Sequence, residues 1–360
     1  MIDDDDAPPD ALPDDAPDDA PRAPPSADVA PVALRLPGHG AGLTVRIAYL
    51  ILAHDQPAHL QRLVARLAAP DAAFFVHIDA KSDLAAFAAL APAVTFCKRR
   101  VNGAWGDISL VKATLEVMRC AAAAPGGFDR YVLLSGACYP LYTPADIHEF
   151  FERHRRTEFI EAFALPDTRY GKTLERIARV SIRKSKPLGR FRWPLQHFLN
   201  RVLPPRDYRK VLKGDLVTGS QWWCLSGDAV KYVLDVTARA PQVYRFCKLV
   251  DCPDEFYFQY ILWNSPFRAS ISHSLTFTRW SPGKTGPDML DASYLPQFAG
   301  PVIHASEFKN SPGERREVLF ARKFSAASAP VLDAIDARAA ARQPAMRGEE
   351  QISSKKISSN

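Results

Sequence analysis

"VRIAYLILAHDQPAHLQRLVARLAAP", residues 45–70, carries two different periods. From Val45 to Ala53 nearly every residue is apolar with no alternation, the pattern of a strand covered on both faces. After a polar turn, Leu60, Leu63, Val64 and Leu67 recur at helical spacing. A doubly covered strand followed by an amphipathic helix predicts a parallel α/β sheet, because parallel strands need crossover helices that shield the sheet.

The same alternation continues downstream. "AAFFVHIDAKS" (72–82) reads as a second buried strand closing on Asp79, and "AVTFC" (93–97) as a third. "GDISLVKATLEVMRCAAA" (106–123) sets Ile108, Val111, Leu115 and Met118 on one helical stripe. "FDRYVLLSGACYPL" (128–141) is a fourth strand that breaks at Ser135-Gly136. Right-handed crossovers would line up the strand ends, and with them Asp79 and Ser135, along one crevice.

The second half is less regular. "TEFIEAF" (157–163) and "DLVTGSQWWCLS" (215–226) read as strands. "SGDAVKYVLDVTARA" (226–240) reads as a helix with Ser226 as N-cap, and "PDEFYFQYILWN" (253–264) as another, with Asp254 as its cap. Between the two strand segments, residues 179–214 are basic and contain prolines, as an exposed lobe would.

Residues 1–44 are Asp, Ala and Pro repeats with too little apolar surface to fold, so they are expected to form a disordered acidic tail. The folded part is expected over 45–335, and residues 336–360 as a second, polar disordered tail. Of the 360 residues, 24% are charged and 47% hydrophobic, a globular composition. The formal charge of +6 hides an asymmetry. Residues 1–21 hold nine Asp and no Lys or Arg, so the remainder sets 46 basic residues against 31 acidic ones, near +15. A body so basic expects an anionic partner. The six cysteines are widely spaced and mostly sit in apolar runs, which predicts reduced thiols. No apolar run reaches 18 residues and no secretory leader is apparent, so a cytoplasmic location is expected.

Neither a P-loop nor a G-x-G-x-x-G fingerprint occurs. Asp79, closing a strand, suits either a turn cap or a carboxylate that accepts from a ribose or base; position alone favours the cap. Asp254 and Glu255 both suit the positive end of a helix. A cap needs only one acid, so a Glu among aromatics is a second possibility, with its pKa raised by burial toward that of a useful base. In "FARKFS", Arg322 and Lys323 lie between two Phe, either as a solvated pair or as cations at a cleft rim facing a diphosphate. Trp280, in a Gly/Pro loop, fits a sugar-stacking ring or a staple over the core.

Nine blocks in order, from "IAYLILAHDQPAHLQRLVARL" through "FFVHIDAKS", "GAWGDISLVKATLEVM", "FDRYVLLSGACYPL", "FIEA", "GSQWWCLSGDAVKYVL", "PDEFYFQYIL" and "RW" to "LFARKF", resemble the core-2/I-branching enzymes. This is glycosyltransferase family fourteen, of branching β-1,6-N-acetylglucosaminyltransferases and peptide O-xylosyltransferases. The blocks run from 47 to 324. The resemblance implies a GT-A-like, Rossmann-type α/β fold with a mostly parallel central sheet. It also implies a UDP-sugar donor, a glycan acceptor and inversion at the anomeric carbon. It makes Glu255 the general base. Asp79, Lys323 and Arg322 become donor contacts, and Glu161, Arg176 and Trp280 acceptor contacts.

The resemblance further implies no cofactor and no divalent metal. Asp-x-Asp occurs only in the acidic tail, at Asp3–Asp6, so Lys323 would carry the charge that a metal otherwise carries. The animal branching enzymes have an upstream Arg as a second diphosphate contact. Here the matching stretch is "PVIHASEFKNSPGERRE", where Lys309, His304 and Arg322 are the candidates. The animal enzymes are also membrane-anchored and disulfide-rich, so this chain resembles a bacterial-type member. N-acetylglucosamine is the first expectation for the donor sugar and xylose the alternative. The basic 179–213 region is a candidate for peripheral contact with anionic lipid. A nucleic-acid-binding protein is the more distant alternative, and no nucleic-acid partner is expected because no recognised motif accompanies the basic body.

Overall fold

The computed structural model describes residues 45–182, 189–281, 286–305 and 313–342. The expected acidic tail, and the C-terminal residues from 343 onward, lie outside the described residues.

The opening stretch folds as its two periods predict. Strand β1 (Ile47–Ala53) is followed by helix α1 (Pro57–Leu67), whose Leu60, Leu63, Val64 and Leu67 are buried. Along β1, Ile47, Tyr49 and Ile51 join one apolar cluster while Ala48 and Leu50 join another. Both faces of the strand are therefore packed, which is why the run has no polar alternation.

Strand β2 (Ala72–Ile78) pairs parallel to β1, and β3 (Thr95–Phe96) parallel to β2. Helix α2 (Ile108–Ala122), capped by the Asp107 carboxylate on Ser109 N–H, crosses back to β4 (Arg130–Ser135) on the far side of β1. Strand order thus reverses between β1 and β4. Strands β6 (Glu158–Ile160), β9 (Trp223–Ser226) and β10 (Ile271–Ser272) complete a seven-stranded sheet among the described residues, in the order β10-β6-β9-β4-β1-β2-β3. Only β9 runs against its neighbours, β4 and β6. The α/β, GT-A-like fold with a mostly parallel central sheet is the one observed.

One face of the sheet is covered by α1, by α3 (Pro144–Arg153) and by α9 (Ala329–Ala341). The other is covered by α2, by α6 (Gly227–Arg239) and by α8 (Tyr257–Trp263). As expected, the Ser226 hydroxyl caps α6. Arg130 is a buried cation in an otherwise apolar strand. Its guanidinium donates to the Thr157 and His154 carbonyls, both at 2.8 Å, just beyond the end of α3, so burial leaves it hydrogen-bonded.

Several expectations are corrected. "TEFIEAF" divides into β6 and β7 (Phe163–Ala164), and "DLVTGSQWWCLS" into β8 (Val217–Thr218) and β9. "PDEFYFQYILWN" opens with a 3-10 turn, Pro253–Glu255, before α8. Asp254 caps nothing, and its Oδ1 is buried without a hydrogen-bond partner. The basic lobe contains a short helix α4 (Glu175–Ala178) and a longer α5 (Arg192–Val202). The folded part also runs past residue 335: α9 continues to Ala341, because the Ala-rich end is a good helix former and keeps Ile335 and Ala339 buried. All six cysteines carry free thiols, as expected.

A second, three-stranded sheet is built from distant parts of the chain. Strand β14 (Phe320–Arg322) pairs antiparallel with β5 (Cys138–Pro140) and parallel with β11 (Thr276–Thr278). A separate pair joins β12 (His304–Ala305) to β13 (Arg316–Glu317), and α7 (Pro241–Cys247) packs beside α6.

Candidate active site

The carboxyl ends of β1, β2, β4 and β6 lie at one edge of the sheet, since β6 is antiparallel to β9 and β9 to β4. The expected alignment of Asp79 with Ser135 follows. Asp79 N–H donates to Ala53 O at 2.8 Å, and Gly136 N–H to Leu52 O at 2.8 Å. Glu161 follows the last residue of β6 on the same rim.

Asp79 owes its place to the spacing in "HID". His77 and Asp79 are two residues apart, so both project to one side of the chain. His77 Nε2 accepts from Val101 N–H at 2.8 Å, and Asp79 Oδ2 from Gly103 N–H at 2.9 Å. Burial lowers the pKa of His77, leaving a neutral ring that can accept. A Cβ on Gly103 would stand 2.8 Å from Asp79 Oδ2, so any larger residue here would displace the carboxylate that holds the loop. Asp79 Oδ1 accepts from Lys81 N–H at 2.8 Å, which is the turn-capping arrangement.

The loop held by Asp79 leads to Glu255. Gly106 O accepts from Cys252 N–H at 3.2 Å. Cys252 is buried with a left-handed φ of 49°, and it turns the chain into Pro253–Glu255. The Glu255 carbonyl accepts from Gly219 N–H at 2.9 Å and from the Thr218 hydroxyl at 2.8 Å. A Cβ on Gly219 would fall 1.7 Å from the Glu161 carbonyl oxygen. The absent side chain therefore lets the ends of β6 and β8 and the Glu255 turn meet.

Glu255 carries the densest charge arrangement on this rim. Its Oε2 accepts from Lys172 Nζ at 2.7 Å and from Arg176 Nη2 at 2.8 Å. The three side chains are 25%, 17% and 14% exposed for Glu255, Lys172 and Arg176. Burial alone would raise the pKa of Glu255, but the two cations outweigh it and hold the carboxyl below its ordinary value. This corrects the expectation of a base raised by its aromatic neighbours. Arg176 shows the matching effect: burial pulls its pKa down, Glu255 pushes it up, and the net is upward. The raised acid is Asp254, pushed up to about 7 by burial and then by the Glu255 charge.

The cationic side of the rim is built by the small sheet. Lys323 follows β14, and Phe324 N–H donates to Ala137 O at 2.9 Å, just past the end of β4. Asp288 ties this end to the Trp280 loop, donating its N–H to Arg279 O at 2.9 Å and accepting from Lys323 N–H at 3.3 Å. Trp280 is 48% exposed, so it is not a staple over the core. Arg322 turns the other way, with its guanidinium 4.4 Å from the Trp222 ring centre and Nε unpartnered; burial lowers its pKa. His304 is half-buried on β12, and Lys309 lies outside the described residues.

The fold thus brings Glu255 and Arg176 into direct contact, sets the Glu161 carbonyl against Gly219, which donates to the Glu255 carbonyl, and ties Asp79 to the Glu255 turn through the 103–106 loop. Among the described residues, no side-chain hydrogen bond joins Lys323 or Trp280 to Glu255 or Asp79. Lys172 was missed by the sequence reading. Its signal is the spacing in "KTLER", which sets it four residues before Arg176. A cavity of about 370 Å³ lies at the opposite edge of the sheet, lined by Phe150, His154, Phe159, His273, Arg316 and Glu317. None of the expected site residues lines it. Among the described residues, no group of three His, Cys, Asp or Glu is placed to hold a metal ion.

Comparison with known proteins adds the following. Xylosyltransferase 2 of Rattus norvegicus is 26% identical over 254 residues, covering 67% of this chain and 27% of that protein. Xylosyltransferase 1 of Rattus norvegicus is 26% identical over 300 residues, covering 78% of this chain and 34% of that protein. The chain therefore spans about a third or less of the length of these curated relatives. A solved structure of mouse xyloside xylosyltransferase 1 in its apo form is 13% identical, covering 76% of this chain and 97% of that one. Its TM-score of 0.30 marks a likeness too loose to bear on fold or site. The model of the Core-2/I-Branching enzyme family matches residues 47–299, most of the folded part. That match embraces the parallel strands, Asp79, Glu161, Arg176 and the Glu255 turn, and the chain belongs to the Core-2/I-Branching enzyme family.

Proposed function

We propose that this protein is an inverting glycosyltransferase that moves a sugar from a UDP-sugar to a glycan hydroxyl, with Glu255 as general base. The observation that carries this reading is Glu255 itself, a carboxylate held ionised at the carboxyl rim of a parallel sheet by Lys172 and Arg176. Both cations take Oε2. Oε1, which accepts no hydrogen bond among the described residues, is left for the acceptor hydroxyl. As that oxygen forms its bond to C1, Oε1 takes the proton. The bond from C1 to the diphosphate breaks on the opposite face, and UDP leaves with the electron pair. One carboxylate suffices for transfer, whereas hydrolysis by a pair of acids needs two opposed across the bond.

In this reading Lys323 meets the diphosphate charge in place of a divalent metal, while Arg322 stays turned against Trp222, and no cofactor takes part. Asp79 meets the nucleotide, while Glu161, Arg176 and Trp280 line the acceptor side. N-acetylglucosamine is the first donor sugar to test. Xylose is the second reading, and it is favoured by the relatives, which are xylosyltransferases.

The test is a panel of UDP-sugars with EDTA present, following UDP release and thermal shift. One donor should stabilise the protein and turn over without metal. Glu255→Gln should keep donor binding and lose turnover by at least about a hundredfold. Unchanged turnover in that variant would remove Glu255 from the mechanism, and strict dependence on Mn²⁺ would overturn the role given to Lys323.

A further inference from the structure

Helix α5 is only partly packed. Its one buried side chain is polar: the Gln196 carboxamide accepts from Ile182 N–H at 2.6 Å and donates to the Val180 carbonyl. Leu195 and Leu199 are half-buried on that side, and the other large apolar groups are exposed. Phe191, Trp193, Phe198, Val202 and Leu203 are exposed by 64%, 46%, 59%, 53% and 42%. Phe191, Phe198 and Val202 follow one line along the helix with Arg201 on the line beside it, whereas Trp193 stands about 140° round the helix from Phe198. Other large exposed apolar side chains, such as Leu84 and Met289, are scattered along the chain. Single exposed apolar residues are ordinary; the line of Phe191, Phe198 and Val202 on one helix face forms a patch that needs an occupant.

The charge in and around the patch indicates which occupant. From 189 to 213 the chain carries Arg190, Arg192, Arg201, Arg206, Arg209, Lys210 and Lys213, and the single acid Asp207. Asp207 is already within 3.8 Å of Lys210, and Arg206 is turned inward over Phe246. The remaining arginines are interleaved with the rings: Arg190 lies 5.2 Å from the Phe191 ring centre and Arg192 5.8 Å from that of Trp193. A second copy docked symmetrically on this face would set arginine against arginine. A nucleic-acid strand is tracked by a groove, whereas α5 is a convex ridge. An anionic bilayer suits both features, since rings settle at headgroup depth while guanidinium groups reach lipid phosphates.

We propose that the outward face of α5, from Arg190 to Leu203, docks on an anionic lipid bilayer. Phe191 and Phe198 enter the headgroup layer, and Arg190 and Arg201 meet lipid phosphates. The face is fixed to the acceptor side of the rim. Arg206 N–H donates to Ala178 O at 2.7 Å, and Ala178 ends α4, the helix that carries Arg176.

The full chain is tested by sedimentation with phosphatidylcholine vesicles, with and without about 30% phosphatidylglycerol, at low and physiological salt. It should sediment with the anionic vesicles and not with the neutral ones. Phe191→Ser with Phe198→Ser should weaken binding at least about tenfold. Arg190→Gln with Arg201→Gln should weaken it about fivefold per arginine. Neither pair should shift the thermal midpoint. Failure to sediment, or sedimentation that both double variants leave unchanged, would overturn the proposal. So would a solution dimer that Phe191→Ser with Phe198→Ser dissolves, or salt-sensitive retention on DNA without vesicle binding.

Discussion

Glu255 takes two cations on a single oxygen while three-quarters of its side chain is out of solvent. A partly buried ion cluster of this kind offsets its desolvation only while every member keeps a partner. Lys172 is therefore a positioning residue for the base, and its loss should act through protonation. Lys172→Met removes a charge that holds the Glu255 pKa down, so the acid limb of the kcat/KM profile should move to higher pH. Activity near pH 8 should fall by no more than about twofold, while activity near pH 5 falls severalfold; Lys172→Arg should restore the limb. Asp254 behaves in the opposite sense. Its pKa rises from 3.8 to about 7 on folding, so the folded chain keeps a proton that the unfolded chain releases. Stability should drop as pH rises through that window. Asp254→Asn removes this dependence and should gain about 2 kcal/mol on the wild type between pH 4 and pH 8, measured by denaturant unfolding. The acidic pair stood out in the sequence, but its division of roles did not. It depends on Lys172 and Arg176, which are 83 and 79 residues away along the chain.

Strands β1, β2 and β4 were legible because each is six or seven residues long and buried along most of its length, enough to show its pattern. Strands β7, β8 and β10 are two residues each, too short to carry any period. Where "DLVTGSQWWCLS" breaks, the cause is Gly219, and only the packed fold reveals why a glycine is needed there. Gly219→Ala would set a methyl group against the Glu161 backbone, which cannot move aside as a side chain end would. This substitution should cost about 3 kcal/mol or more and should depress activity even in the folded fraction, since it pries β6 from the Glu255 turn. Thermal unfolding and turnover per folded molecule would separate the two effects.

The folded part is a sheet clad on both faces with the candidate site along one rim, an arrangement that alternating strand and helix periods do announce. The C-terminal limit was less legible, because an Ala-rich polar end reads equally as tail or helix. Here tertiary contacts decide. Asp336 accepts from Arg62 at 2.8 Å, Arg66 at 2.6 Å and the Tyr139 hydroxyl at 2.8 Å, fastening α9 to α1 and β5. Arg342 donates to Leu141 O at 2.6 Å and Gly300 O at 3.1 Å. A chain ended after residue 335 should melt about 5–10 °C lower than one ended after 342, by calorimetry.

Cys252 gives the proposed base a chemical reporter. Its thiol is buried and pushed up to about 12, immediately before the turn that ends in Glu255. An alkylating reagent needs the thiolate and a path to it, and the closed turn withholds both. Reaction at this sulfur therefore counts the moments when the turn unlatches. Cys120, which is only half-buried, marks the background rate in the same molecule. The opening frequency of the rim can thus be timed with no donor, acceptor or assay for product.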